Sequence, residues 1–299
     1  MAERTPRLRT GLGDPTAWPL RPRSVVVLGV ASAAGVLMLA WPLFLRVPVG
    51  QRVDPPFLFL ALLPLVVLVV LAEFSEGGMD SRVLAILGVL SAVNAVLRAL
   101  GAGTAGIELV FFLLILAGRV FGPGFGFVLG CTSLFASALL TAGVGPWLPY
   151  QMLLSAWVGM GAGLLPRRVR GRAEIAMLVG YGVLTAYAYG LLMNLTSWPF
   201  ALGVMAAGNE GSLGFVPGDP LAENLHRFLV YTLLTSTGGW DTGRAIATAT
   251  AILLVGPAVL TTLRRASRRV VVEHAVERVP APVSTGVSAG VSAGVSPRA

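Results

Sequence analysis

Tyr150 and Gln151 stand side by side in the run GPWLPYQM, three and four residues after Trp147. A second run, AYAYGLLMNLTSWPF, carries Tyr187, Tyr189, Asn194, Thr196 and Trp198, and a third places Asp241 after Trp240. Aromatic faces stack on or wall in a ring, and the amides of Gln151 and Asn194 each offer a donor and an acceptor. No nucleophile or acid–base pair stands among them, so the chemistry they suit is recognition. Mostly apolar walls with a few placed polar groups describe a small-molecule pocket. Aromatics at the ends of apolar runs are equally ordinary membrane-interface residues, and residue type alone leaves both readings open.

Catalysis finds little support elsewhere in the chain. The ionisable residues of the apolar runs, Glu73, Arg98, Glu108 and Glu174, lie near span ends, where side chains reach the interface by snorkelling. No acidic pair sits deep enough for a proton relay, which disfavours proton- or sodium-coupled transport. His226 and His274 are the only histidines, and no membrane serine stands in a Gly-x-Ser setting beside one. The chain contains no lysine, so it has no GxxxxGK[ST] phosphate loop, and ATP hydrolysis falls to another chain. Cys131, alone inside an apolar run, makes no thiol metal site. Neither a metal nor another cofactor is expected. The rival reading is a membrane enzyme acting on a lipid-linked substrate, with Glu108, Asp219 or Asp241 essential.

The elements that must position these residues are membrane helices. Apolar residues make up 55% of the chain and charged residues 12%, about half the usual charge content of a soluble domain. The patterning predicts an all-α bundle of about eight crossings, at 24–45, 57–73, 82–100, 106–121, 124–142, 148–165, 174–196 and 243–263. The run FFLLILAGRVFGPGFGFVLG (111–130) belongs to two of these. One helix over 106–142 would be roughly 55 Å long at 1.5 Å per residue, against a hydrocarbon core of about 30 Å. Gly122-Pro123-Gly124 therefore divides it into a tight hairpin. Residues 1–23 form a basic arm and 24–81 an N-terminal hairpin, with no cleavable leader expected. Residues 264–299 read as a basic, then low-complexity, disordered tail. The long segment 197–242 reads as a loop, with a re-entrant or surface helix over 225–240.

The net charge of +8 comes wholly from arginine. No basic stripe interleaved with aromatics exists, which argues against nucleic acid. With an even number of crossings both termini share one side. If that side is cytoplasmic, 17 of the 22 basic residues face inward, as the positive-inside rule asks of a plasma-membrane protein. Small residues recur every fourth position in Gly118/Gly122/Gly126/Gly130, Ser155/Gly159/Gly163 and Gly182/Ala186/Gly190, and pair as Gly88/Ala92 and Ala95/Ala99. Such stripes let helices approach closely. They serve internal packing or a docked partner, and periodicity does not choose.

The stretch GRVFGPGFGFVLGCTSLFASALLTAGVGPWLPYQMLLSAWVGMGAGLLP (118–166) resembles the substrate-binding (S) subunits of energy-coupling factor (ECF) vitamin transporters. NLTSWPFALG (194–203) looks like a stretch of the actinobacterial, cobalamin-type members. The resemblance implies a six-helix core over 82–263, the N-terminal hairpin being an addition. It implies a subunit that captures a vitamin from outside, cobalamin first, with riboflavin or a thiamin precursor still open. Trp147, Tyr150, Tyr187 and Trp198 would then wall the ligand, Gln151 and Asn194 would bond its amides, and residues 197–242 would form a lid. It also implies docking on a transmembrane coupling subunit that carries two ATP-binding subunits. The family's Ala-x-x-x-Ala docking pattern falls on Ala95 and Ala99, with Ala92 extending it.

Overall fold

Apolar runs punctuated by glycine, proline and arginine fold here into helices, with no strand among the described residues. The structure is a computed structural model and describes residues 22–44, 81–101, 106–205, 213–216 and 219–277. In chain order the helices are α1 (Pro22–Leu39), α2 (Trp41–Phe44), α3 (Ser81–Gly101), α4 (Val110–Phe121), α5 (Pro123–Leu140), α6 (Leu148–Leu164) and α7 (Arg172–Met205). After them come α8 (Leu221–Thr232), α9 (Thr242–Leu254) and α10 (Gly256–Glu277). A nine-residue π-helix, Leu233–Asp241, joins α8 to α9.

The expected hairpin is present. Gly122 ends α4 and begins α5 at a single residue with φ 101°, a conformation that a Cβ would strain, and Pro123 opens α5 at its first turn. Helix α4 is only 12 residues long, about 18 Å, and every one of them is buried. A helix that short does not cover the bilayer core, but protein surrounds it, so it is the hub of the bundle. The predicted crossing 106–121 is helical only from Val110.

The glycine stripes weld α6 to the hairpin. A Cβ on Gly118 or Gly126 would strike the Gly159 carbonyl, one on Gly130 would strike the Ala156 backbone, and one on Gly163 would meet Gly122 and Pro123. Backbones this close leave room for hydrogen only, which is the packing that small residues permit in lipid. Helix α7 uses Gly182 in the same way, against Thr248 and Ile252 of α9 and Ile115 of α4. These three stripes are therefore internal. Helix α1 lies across α6, where Trp157 Nε1 donates to Ser32 Oγ at 2.9 Å and Gly35 meets Leu153.

Three expectations need correction. Among the described residues three helices are long and apolar enough to cross a membrane, Arg82–Gly101, Pro123–Leu140 and Arg172–Pro199. A fourth span arises if Leu221–Leu254 and Gly256–Arg268 are taken together, but that pair bends by 67°, so the expected straight crossing at 243–263 is broken at Val255. Within the expected loop 197–242 the helix expected over 225–240 is present, from Leu221 through Asp241, but α7 also runs on into the segment as far as Met205. The basic run RRASRR, placed in a disordered tail by its composition, is helical within α10. The expected crossing 57–73 and most of the expected arm and tail lie outside the described residues.

Candidate functional site

Charged side chains gather at the two ends of α4, and each end does different work. At the C-terminal end, Arg119 Nε donates to Glu174 Oε1 at 2.7 Å, and Arg264 Nη2 reaches both oxygens of the same carboxylate at 2.7 and 2.9 Å. The rest of the Arg119 guanidinium donates to the carbonyls of Leu165, Pro166 and Val169. Glu174 is 2% exposed, so it does not snorkel as its place near a span end suggests. It clasps α4, the α6–α7 turn, α7 and α10 together.

At the N-terminal end the centre is Arg244 of α9. Its Nε donates to Glu108 at 2.7 Å and its Nη1 to Asp241 at 3.1 Å. The guanidinium stacks over the rings of Tyr189 and Phe111, at 4.8 and 5.5 Å, which themselves meet edge to face. The π-helix explains how Asp241 comes to be there. Its wider turn stacks residues five apart, so Ser236 Oγ donates to Asp241 at 2.9 Å and Thr242 Oγ1 to the Thr237 carbonyl at 2.6 Å. Across the interface Gly190 leaves room for that carboxylate, and a Cβ there would overlap it. Gly190→Ala is accordingly expected to push Asp241 off Arg244 and lower stability by about 1–3 kcal/mol, read as an earlier unfolding midpoint in detergent.

A third set of groups rises beside this cluster. Helices α3 and α5 run parallel and are laced by polar side chains: Ser91 with Thr132 at 2.7 Å, Asn94 Nδ2 donating to Ser133 at 2.9 Å, and Arg98 Nη1 donating to Ser137 at 3.1 Å. At the top of the ladder Arg98 Nη2 donates to Gln151 Oε1 at 2.9 Å, tying in α6. Interhelical hydrogen bonds of this kind contribute roughly 0.6 kcal/mol each in lipid. Arg98, Arg244 and Glu108 all lie within Coulombic reach of Tyr189, so the ladder and the Arg244 cluster share one end of the bundle.

The residues singled out by the sequence fall around this end. Gln151 is engaged by Arg98. Tyr150 is fully buried beside it, whereas Trp147 is 51% exposed. The Tyr187 hydroxyl lies 2.9 Å from that of Thr242. The Asn194 amide nitrogen is buried with no hydrogen-bond partner. Trp198 is buried and does something other than line an open wall. Its Nε1 donates to the Leu213 carbonyl at 2.8 Å and its ring packs on Phe215 and Phe228, so it pins the segment 213–216 down. Asn224 holds the same segment by pairing with both the N–H and the carbonyl of Val216 at 2.9 Å. Sequence reasoning missed Arg98 and Arg244 as members of the site. The spacing of Ser91, Asn94 and Arg98 on one face of α3 was the available signal.

Two other sets were named in advance. For the enzyme alternative, Glu108 and Asp241 do meet at Arg244, but Asp219 pairs with Arg227 at 2.7 Å elsewhere. No group of three or more His, Cys, Asp or Glu side chains among the described residues is placed to hold a metal ion. On the proposed docking helix, Ala92 and Ala99 are exposed, two turns apart on one face with Gly88 and Ala85. Ala95 is fully buried, because it lies on the face of α3 that carries the polar ladder. The Ala95/Ala99 pattern is therefore not one surface.

Fold and composition together define a multi-pass helical membrane protein whose polar and aromatic side chains converge at one end. Residues 82–263 match the family model described as "ECF transporter, substrate-specific component". The match covers more than half of the chain, and the protein belongs to that family. It is a substrate-specific membrane subunit of an ECF importer, a class that binds a small molecule and docks on coupling and ATPase modules. No curated protein and no solved structure matches the chain significantly.

Proposed function

We propose that this subunit captures a vitamin, cobalamin first, from the cell exterior at the Arg244 end of the bundle. The observation that carries the reading is convergence: α3, α4, α6, α7, the π-helix and α9 all send polar or aromatic side chains to that end. Tyr187 and the half-exposed Trp147 supply aromatic surface, Gln151 and Asn194 supply amides, and Tyr150, fully buried, packs inside the bundle. The unpartnered Asn194 nitrogen is a buried donor waiting for an acceptor, which the many amides of a corrinoid provide. Trp198 and Asn224 hold segment 213–216 in place, which suits the lid role given to residues 197–242. Riboflavin or a thiamin precursor would use the same aromatic walls.

The exterior assignment is supported by arginine placement. The opposite end carries Arg167, Arg168, Arg170, Arg172, Arg265 and Arg268, the excess expected of a cytoplasmic face. For docking, the three glycine-bearing stripes of α4–α7 pack inside the bundle, and the Ala85/Gly88/Ala92/Ala99 face of α3 is an exposed small-residue surface suited to a partner.

The purified protein is expected to carry its ligand, and corrinoids are red and flavins yellow. An absorption spectrum, followed by titration with labelled cobalamin, riboflavin and thiamin, tests the reading. A colourless preparation that binds none of them would overturn it.

A further inference from the structure

Arg98 differs from the other buried or half-buried arginines described above. Arg119 and Arg264 share Glu174, and Arg244 has both Glu108 and Asp241, whereas among the described residues Arg98 donates to the neutral oxygens of Ser137 and Gln151 and to no carboxylate. A half-buried guanidinium at the end of a membrane span is stabilised when an anion faces it. One turn below, Asn94 is fully buried; its Nδ2 donates to Ser133 and its Oδ1 has no partner among the described residues, an acceptor that an N–H or O–H of the ligand, rather than its oxyanion, would meet. Natural interiors seldom leave such an atom unsatisfied without a ligand or water to take it. The ladder holds the guanidinium by two of its nitrogens, from α5 and from α6, and so pre-orients a fork that matches a planar or tetrahedral oxyanion.

We propose that Arg98 is an oxyanion anchor: the captured molecule carries a phosphate or carboxylate that supplies the missing counter-charge, with Ser137 and Gln151 fixing the guanidinium. This rests on the capture reading and narrows it. Cobalamin satisfies it through its phosphodiester, and riboflavin and thiamin do so only as phosphate esters. Carboxylated vitamins satisfy it directly.

The test uses matched pairs that differ in the oxyanion: dicyanocobinamide phosphate against dicyanocobinamide, riboflavin phosphate against riboflavin, thiamin phosphate against thiamin, and biotin against its amide. Each is titrated by calorimetry into the full-length protein in neutral, lipid-free detergent, with a phosphatidylglycerol arm to catch a lipid headgroup as the source. For the pair that binds, the oxyanion-bearing member is expected to bind at least about tenfold more tightly. Arg98→Gln is expected to erase that gap by weakening the oxyanion-bearing member far more than its partner, with an unfolding midpoint in detergent near that of wild type showing the variant to be folded; Arg98→Lys should keep part of it. A neutral member that binds as well as its partner, with Arg98→Gln changing neither, overturns the anchor and leaves capture standing. So does equal weakening of both members. Binding of phosphatidylglycerol alone would assign Arg98 to lipid and also overturn the proposal. Failure of every probe on the wild-type protein would remove capture and anchor together.

Discussion

Replacing Ala92 by tryptophan is expected to abolish uptake by the assembled transporter while leaving ligand affinity in detergent unchanged. Ala92 lies on the exposed face of α3 with Ala85, Gly88 and Ala99, and a Cβ on Gly88 would meet nothing within 4 Å. A surface of this kind admits the backbone of another helix, and an indole would hold that helix away by several ångströms. Nothing inside the bundle changes, so the Arg244 end should bind as before. Ala95→Trp is the instructive contrast. Ala95 is fully buried on the ladder side, and the added rings would have to part α3 from the core. Overpacking there should cost about 3 kcal/mol or more and take ligand binding with it. The measurements are uptake of labelled vitamin by cells with the full complex, co-purification of the coupling subunit, and affinity of the isolated subunit. Normal uptake by the Ala92→Trp protein would show that the partner docks elsewhere.

How much of this was legible in the sequence depended on how local the cause was. The hairpin at Gly122-Pro123 was readable, because the length of lipid and the stereochemistry of two residues decide it. The helical class was readable for the same reason. A helix over 225–240 was readable, but the wider π turn of LLTSTGGWD was not, since its geometry is sustained by tertiary partners such as Ser236 with Asp241 and Gly190 against Asp241. The faces of α3 were half legible. Every fourth residue is small, but which small residues face inward is set by Ser91, Asn94 and Arg98 finding hydroxyls on α5. A polar residue chooses the inside of a membrane bundle more strongly than an alanine does, so the polar triplet was the better guide to register. Glu174 was misjudged for a related reason. Closeness to a span end permits snorkelling, but an arginine fixed on a neighbouring helix makes the inward path better.

That last case gives the largest stability effect expected anywhere in the chain. Glu174→Ala should lower the unfolding free energy in detergent by about 3–5 kcal/mol, the usual loss when one member of a buried ion pair is removed. Arg119 is the reason. Its side chain is 4% exposed and cannot turn to water when the carboxylate goes. The three carbonyls that it also reaches supply dipoles but no charge. Arg264 sits differently, with 37% of its side chain exposed, so Arg264→Gln should cost no more than about 1 kcal/mol, as surface pairs do. Glu174→Gln should fall between, because the amide oxygen still accepts from Arg119 but the charge is gone. The order Ala, then Gln at 174, then Gln at 264 is what a buried clasp requires. Were Glu174 instead turned outward, all three variants would unfold together with the wild type, and denaturation monitored by tryptophan fluorescence distinguishes the two patterns. The clasp also joins α10 to α4 and α7, so its loss should free the basic segment RRASRR first, which appears as early proteolysis after Arg264 or Arg265 while the Arg244 end still binds.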